Sequence, residues 1–263
     1  MRLALTSRLS TASMELELED QSLAQTAIEV FMSQYFYNAD EQTYQNADFE
    51  LNGRQVSVIV HFESGKINVN RADVELLSAL FAAKGVEGGR ATALAAAIID
   101  WRDADTLPLP NGAEVDAYQA AAYSVHPRNG AFETVGEVRQ VFGMTSEIFQ
   151  CASPDLTVYS LTGNIDIPRA SSSVREILFW AYENEWQDGI WPDPSDAAFT
   201  APSNVIDDVG GHALTLEVKI DGDVPKHYSQ RVRFKTLTDR TDFARLSPIK
   251  ASVLDPINVC SED

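Results

Sequence analysis

Positive charge is scarce in this chain. Among 263 residues, Lys and Arg number 20 against 39 Asp and Glu, a formal net charge of −19. Most nucleic-acid affinity comes from neutralising phosphates, and anionic lipid attracts basic segments, so both kinds of partner are disfavoured. Such a balance suits a cation-binding protein, or one bathed in divalent ions. Long apolar runs are missing as well: no stretch nears the roughly 18–20 residues that span a bilayer. At the start, Met1-Arg2-Leu3-Ala4-Leu5 is broken at once by Thr6, Ser7 and Arg8, unlike a signal-peptide core. The chain reads as a soluble piece, and 44% hydrophobic residues are ample for a core.

Cysteine is also rare. Cys151 and Cys260 stand alone, outside any CxxC, and the four His at 61, 126, 212 and 227 have no zinc-ligand spacing. Two readings stay open for the cysteines: two buried thiols, or one disulfide in an oxidising compartment. GxSxG, HExxH, P-loop and GxGxxG patterns are all lacking, so nothing supports an enzyme. With acidic residues this abundant, paired carboxylates carry little weight by themselves.

What is present falls into three stretches. Residues 5–37 lack Gly and Pro and repeat Leu9, Leu16, Leu23 and Val30 every seven residues, widened by Ala24, Ile28, Phe31 and Tyr35. That pattern predicts one long amphipathic helix. Two strands, 47–51 and 55–62, flank Asn52-Gly53, a strong hairpin signal. Residues 65–70 are expected to extend this meander. Helical periods follow over 72–84 and 89–102, separated by Gly85, Gly88 and Gly89, then a loop over 103–130. Thr134 with Glu137 reads as a capping box opening a helix to Phe142, and 145–149 as a further helical turn. Gly65–Ala72 is echoed at Gly163–Ala170, which predicts two strand-to-helix entries, the second helix running over about 173–187. Strand alternation returns over 213–220 and 228–237, around Asp221-Gly222. A lone two-stranded hairpin is marginal, so the late strands are expected to complete the early sheet.

Two segments are candidates for chemistry. From Asp100 to Asp116, the carboxylates Asp100, Asp103, Asp105, Glu114 and Asp116 crowd a loop leaving a helix. Calcium takes six to eight oxygens from such loops. With Asp103 as position 1, Asp105 is position 3 and Glu114 position 12, as in an EF-hand, but Pro108 stands where Gly is needed and Leu107 where a polar ligand belongs. A looser calcium loop and a plain solvated acidic loop are both open on spacing alone. The second segment, Thr134–Phe149, reads as a helix–Gly–helix hairpin, a shape used to grip DNA phosphate. Glu133, Glu137 and Glu147 surround its single Arg139, which favours packing or protein contact over DNA.

These segments together resemble the minor pseudopilin K family of type II secretion. The resemblance rests on Gly65-Lys66-Ile67-Asn68-Val69-Asn70, Ile99-Asp100-Trp101-Arg102-Asp103-Ala104-Asp105 and Pro110-Asn111-Gly112-Ala113-Glu114. It continues through Asn129–Val138, Gly143-Met144-Thr145, Leu156–Ser160 and the second Gly163 motif, in family order over most of 65–170. The resemblance implies an α+β fold: a pilin-like long N-terminal helix on an antiparallel sheet, with a large all-α domain inserted in the sheet. The expected boundaries are 1–67 for the first part of the pilin-like domain, 68–205 for the insert and 206–263 for the rest.

The resemblance further implies a non-enzymatic tip subunit of a periplasmic pseudopilus, assembling with minor pseudopilins I and J and not with nucleic acid. A helix-hairpin-helix DNA-binding protein is the alternative, and a metal-dependent hydrolase a third. Calcium sites in the insert are implied for some members, which favours calcium at Asp103, Asp105, Glu114 and Asp116, with Asp100 the weakest ligand. Periplasmic residence would let Cys151 pair with Cys260. Members begin with a basic leader and an apolar helix that anchors them in the inner membrane. This sequence starts without either, which implies a trimmed form. The upstream helix, around Leu5, Leu9 and Leu16, is expected to be poorly buried and to meet the partners' helices.

Overall fold

The computed structural model describes residues 2–37, 46–161, 163–182, 213–222, 224–234 and 243–251. In chain order its elements are α1 (Arg2–Tyr37), β1 (Asn46–Leu51), β2 (Arg54–Phe62), β3 (Ile67–Asn68), α2 (Val74–Ala83), α3 (Gly88–Arg102), α4 (Val115–Ala120), α5 (Ser146–Ala152), β4 (Leu156–Thr157), α6 (Ser172–Tyr182), β5 (Ala213–Ile220), β6 (Lys226–Phe234), β7 (Phe243–Arg245) and β8 (Lys250–Ala251). Two compact units result: Met1–Phe62 with Asp207–Pro256, and Glu63–Ile206 with Ile257–Asp263. No helix among the described residues is long and apolar enough to cross a membrane.

The first unit is an antiparallel sheet in the order β1-β2-β5-β6-β7, with β8 also paired to β6, and α1 packed against it. Early and late strands therefore join, as expected: β2 pairs β5 from Val56↔Ile220 to Phe62↔Leu214. The first turn forms because Asn52 (φ 53°) and Gly53 (φ 74°) both take the left-handed conformation that a type I′ hairpin requires. Alternation sends Val56, Val58, Val60 and Phe62 into the core, where Leu214, Leu216, Val218 and Ile220 meet them. The returning strand starts at Lys226, two residues before the expected 228, and is described to Phe234; residues 235–237 of the expected strand lie outside the described residues.

On α1, Leu23, Ala24, Ala27, Ile28, Phe31 and Met32 are buried. That spacing follows 3.6 residues per turn, so the expected seven-residue stripe drifts off the contact face. Val30 is only half-buried and Leu16 is 62% exposed. The side chains of Leu5, Leu9 and Tyr35 lie outside the described residues. Asp20, 7% exposed, receives the Arg54 guanidinium, whose other nitrogen donates to the Asp221 carbonyl at 3.3 Å. One cation thus ties the helix to both hairpin turns.

The second unit is mainly helical. Asp73 caps α2 by accepting from Leu76 N at 2.8 Å, and Gly85 (φ 78°) ends it. Small Ala91 and Ala95 on α3 let the two helices close over Leu77, Leu80 and Phe81. The boundary expected after residue 67 falls instead at Phe62/Glu63. The physical reason is that β3 does not extend the meander. It pairs in parallel with β4, Ile67↔Leu156, in a separate two-stranded sheet. Glu63, 1% exposed, locks this start of the unit to Lys66 Nζ at 2.8 Å and to the Thr157 hydroxyl.

The two echoing motifs meet each other. A Cβ on Gly65 would lie 2.4 Å from the Arg169 carbonyl oxygen, and Asp166 N donates to the Ser64 carbonyl at 2.8 Å. They differ in conformation, however: the second copy is a 3-10 turn, Ile167–Arg169, and not a strand. Pro168 lacks the N–H that a ladder needs. The helix that follows is described to Tyr182, and residues 183–187 of the expected helix lie outside the described residues.

Candidate metal centre

The loop of interest hangs between the end of α3 and the start of α4. Arg102 fixes its near end, donating to the carbonyls of Val69 and, at 2.6 Å, Ala72. Asp103 N still donates to the Ile99 carbonyl, but its backbone is already extended (φ −78°, ψ 170°), so the helix stops there. Asp105 Oδ1 accepts from Leu107 N at 2.8 Å, the turn that Asp side chains favour. At the far end Asn111 (φ 65°) reverses the chain, and Gly112 N donates to the Leu109 carbonyl at 2.8 Å. Glu114 starts α4 with its backbone alone; its carboxylate makes no capping hydrogen bond.

That leaves the Glu114 side chain free for the loop. One carboxylate oxygen from each of Asp103, Asp105 and Glu114 lies within 4.8 Å of the others. Glu114 is 5% exposed and neither of its carboxylate oxygens has a hydrogen-bond partner. Asp103 Oδ1 and Asp100 Oδ2 are likewise buried without partners. Burial, more than any neighbour, pushes the Glu114 and Asp103 carboxyls up, with Asp100 and Asp105 adding repulsion. Asp100 is raised for the same first reason, against the pull of backbone donors from Leu109 and Ala113.

Buried carboxylates with unmet oxygens are costly unless a cation completes them. The donor set is all oxygen, which matches calcium and not the N/S preference of zinc. The residues present fit a calcium ion, which one carboxylate oxygen from each of Asp103, Asp105 and Glu114 would hold.

The five sequence candidates therefore separate. Three converge. Asp116 is exposed in the first turn of α4 and outside the cluster, where its charge favours the helix dipole. Asp100 is wholly buried, and its Oδ1 accepts from Leu109 N at 3.0 Å. Sequence reasoning missed Asn129, whose amide donates to the Asp105 carbonyl and whose φ is 50°. The dipeptide Asn129-Gly130 was the available signal, since Asn tolerates the left-handed region.

The other candidates resolve as follows. Thr134 and Glu137 form the expected capping box, but the turn is 3-10 (Val135–Gln140), short of the expected helix to Phe142. Phe142 N donates instead to the Tyr118 hydroxyl at 2.7 Å. Arg139, the cation of the supposed phosphate grip, lies 4.4 Å over the Phe149 ring. Cys151 is buried and disulfide-bonded. Cys260 lies outside the described residues.

Comparison with known proteins accords with this architecture. Residues 49–161 match the family model for type II secretion system (T2SS), protein K. The chain is 37% identical over 70 residues to type II secretion system protein K of Pectobacterium carotovorum subsp. carotovorum, covering 27% of this chain and 21% of that one. It is 34% identical over 93 residues to type II secretion system protein K of Klebsiella pneumoniae, covering 33% and 28%. The matched stretch is thus only 21–28% of the length of these relatives. In fold, the chain is similar to a chain in the crystal structure of the GspK-GspI-GspJ complex from enterotoxigenic Escherichia coli. The TM-score is 0.65 at 18% identity, over 92% of this chain and 99% of that one. None of these similarities supports the DNA-binding alternative. Through residues 49–161, this chain is similar to the type II secretion system protein K family.

Proposed function

We propose that the chain is a structural minor pseudopilin, the tip subunit of a type II secretion pseudopilus, assembling with minor pseudopilins I and J to support export of folded proteins. Its family is a structural component of a secretion machine, and the role proposed is non-catalytic. The observation that carries the reading is the upper part of α1. On α1 before Asp20, Met14, Leu16 and Leu18 are 67%, 62% and 61% exposed. Apolar side chains left in water on a helix mark an interaction surface. Beside them opens a groove of about 930 Å³, lined by Leu16, Glu17 and Asp20 and by the turn residues Gly53 and Gly222. Partner helices running alongside α1 would cover both features.

Calcium at Asp103, Asp105 and Glu114 belongs to the same proposal, as a staple that shapes the inserted domain. A periplasmic setting, at the inner membrane in the full-length protein, is supported by the disulfide at Cys151, because such bonds persist in oxidising compartments. The test is binding of the purified chain to an I–J pair. Leu16→Asp/Leu18→Asp should weaken it at least tenfold while leaving the circular-dichroism spectrum unchanged. Wild-type affinity in that variant would remove α1 as the contact.

A further inference from the structure

We infer that Asp100 is a positioning residue that shapes the acidic loop from inside, that it is not a metal ligand, and that position 112 is glycine to admit it. The inference rests on the calcium reading above for its consequence, and on hydrogen bonds and packing for its substance. Asp100 sits on the last turn of α3 with no exposed surface. Its Oδ1 accepts from Leu109 N at 3.0 Å, and the nearby Ala113 backbone N–H favours its charged form. Those two donors lie on either side of the Asn111-Gly112 reversal. One carboxylate therefore spans the turn that delivers Glu114 back to Asp103 and Asp105.

Gly112 carries the second half of the argument. A Cβ there would lie 2.0 Å from Asp100 Oδ2 and 2.9 Å from its Cγ, far inside contact distance. The Leu109 carbonyl oxygen lies 3.1 Å from the same point, so backbone crowds that methyl group as well, and Asp100 Oδ1 is tied to Leu109 N. Across the loop, the Asn129 amide donates to the Asp105 carbonyl, and Gly130 N to the Trp101 carbonyl at 3.4 Å. The loop is thus braced from α3 on one side and from residues 129–130 on the other. Partners that orient ligands in this way commonly change metal affinity tenfold or more when removed. Glu114, buried with both oxygens unpartnered, is the ligand that most depends on this bracing.

The experiment uses the whole chain, calorimetric titration with calcium, and amide hydrogen exchange at Leu109 and Ala113 in chelator. Gly112→Ala adds one methyl group and removes no oxygen, yet it should weaken calcium binding at least tenfold. Asp100→Ala should do the same and should speed exchange at both amides without metal. In the double variant the methyl group no longer meets a carboxylate, so its affinity should match that of Asp100→Ala alone. Asp100→Asn, which keeps Oδ1, should stay within severalfold of wild type. Wild-type affinity in Gly112→Ala, additive losses in the double variant, or unchanged exchange in Asp100→Ala would each overturn the inference. A wild-type chain that takes up no calcium overturns the metal reading instead, and the exchange arm then still decides whether Asp100 holds the loop.

Discussion

Removing calcium from the chain should lower the melting temperature of its helical unit, by an amount that can be worked out in advance. A ligand that binds only the folded state stabilises it by RT ln(1 + [L]/Kd), about 2.7 kcal/mol at a hundredfold excess over Kd. For a unit of this size, ~1 kcal/mol moves the midpoint by about 2–4 °C. The expected shift on adding chelator is therefore roughly 5–10 °C, read by scanning calorimetry. The double change Asp103→Ala/Glu114→Ala should abolish it. The structure makes a sharper demand as well. Asp103 Oδ1 and both Glu114 oxygens are buried without partners, and each unmet group costs about 1–3 kcal/mol. Deleting them removes a penalty as well as a ligand. In chelator the double variant should melt no lower than wild type, and in calcium it should melt below it. Identical curves for wild type with calcium and with chelator would refute the reasoning.

Ile28, with no exposed surface between α1 and the sheet, should cost about 2–5 kcal/mol when cut to Ala, seen as a lower urea midpoint for the sheet unit. Thiol titration under denaturing, non-reducing conditions should find no free thiol, because the disulfide at Cys151 is proposed to reach Cys260; the chain-entropy model gives a loop of about 110 residues roughly 4–5 kcal/mol. Glu217 is held low first by its hydrogen bond from His61 at 3.2 Å and then by the charges of His61 and His227. A carboxylate lowered on folding stabilises above its unfolded pKa, about 4.3, and that contribution is lost as pH falls through the folded value. Glu217→Gln should therefore leave a shallower decline of stability with acid, in urea titrations between about pH 5 and pH 3.

Most of the architecture is readable from local pattern. The Asn52-Gly53 hairpin, the alternation of β2 and β5, and the cap at Thr134 each involve residues close in sequence, so spacing alone identifies them. Long-range choices were harder to read. Gly65–Asn70 looks like one more strand of the meander, because Ile67 and Val69 alternate as sheet residues do. Its true partner, Leu156–Thr157, lies some ninety residues away, and both belong to the helical unit and not to that of the meander. Likewise the seven-residue repeat of Leu9, Leu16, Leu23 and Val30 suggested one stripe along α1. A straight helix turns every 3.6 residues, and against a flat sheet the buried face follows the helix, so Leu16 falls outside it and Val30 is only half-buried.

The acidic loop shows where composition stops being informative. Five carboxylates in seventeen residues look equivalent on the page, and the EF-hand spacing distinguishes only Asp103, Asp105 and Glu114. What separates Asp100 from them is not its own chemistry but the residue opposite. Asp103, Asp105 and Glu114 bring carboxylate oxygens within 4.8 Å of one another, whereas Asp100 holds the Leu109 N–H and packs on a glycine that has no room for a methyl group. Asp116 differs again, exposed in the first turn of α4. Each assignment follows from what surrounds the carboxylate, and that depends on α3, α4 and residues 129–130 meeting in space. Gly112 is the trace this arrangement leaves in the sequence. Beside a reversal already supplied by Asn111, it is there for the carboxylate that packs against it.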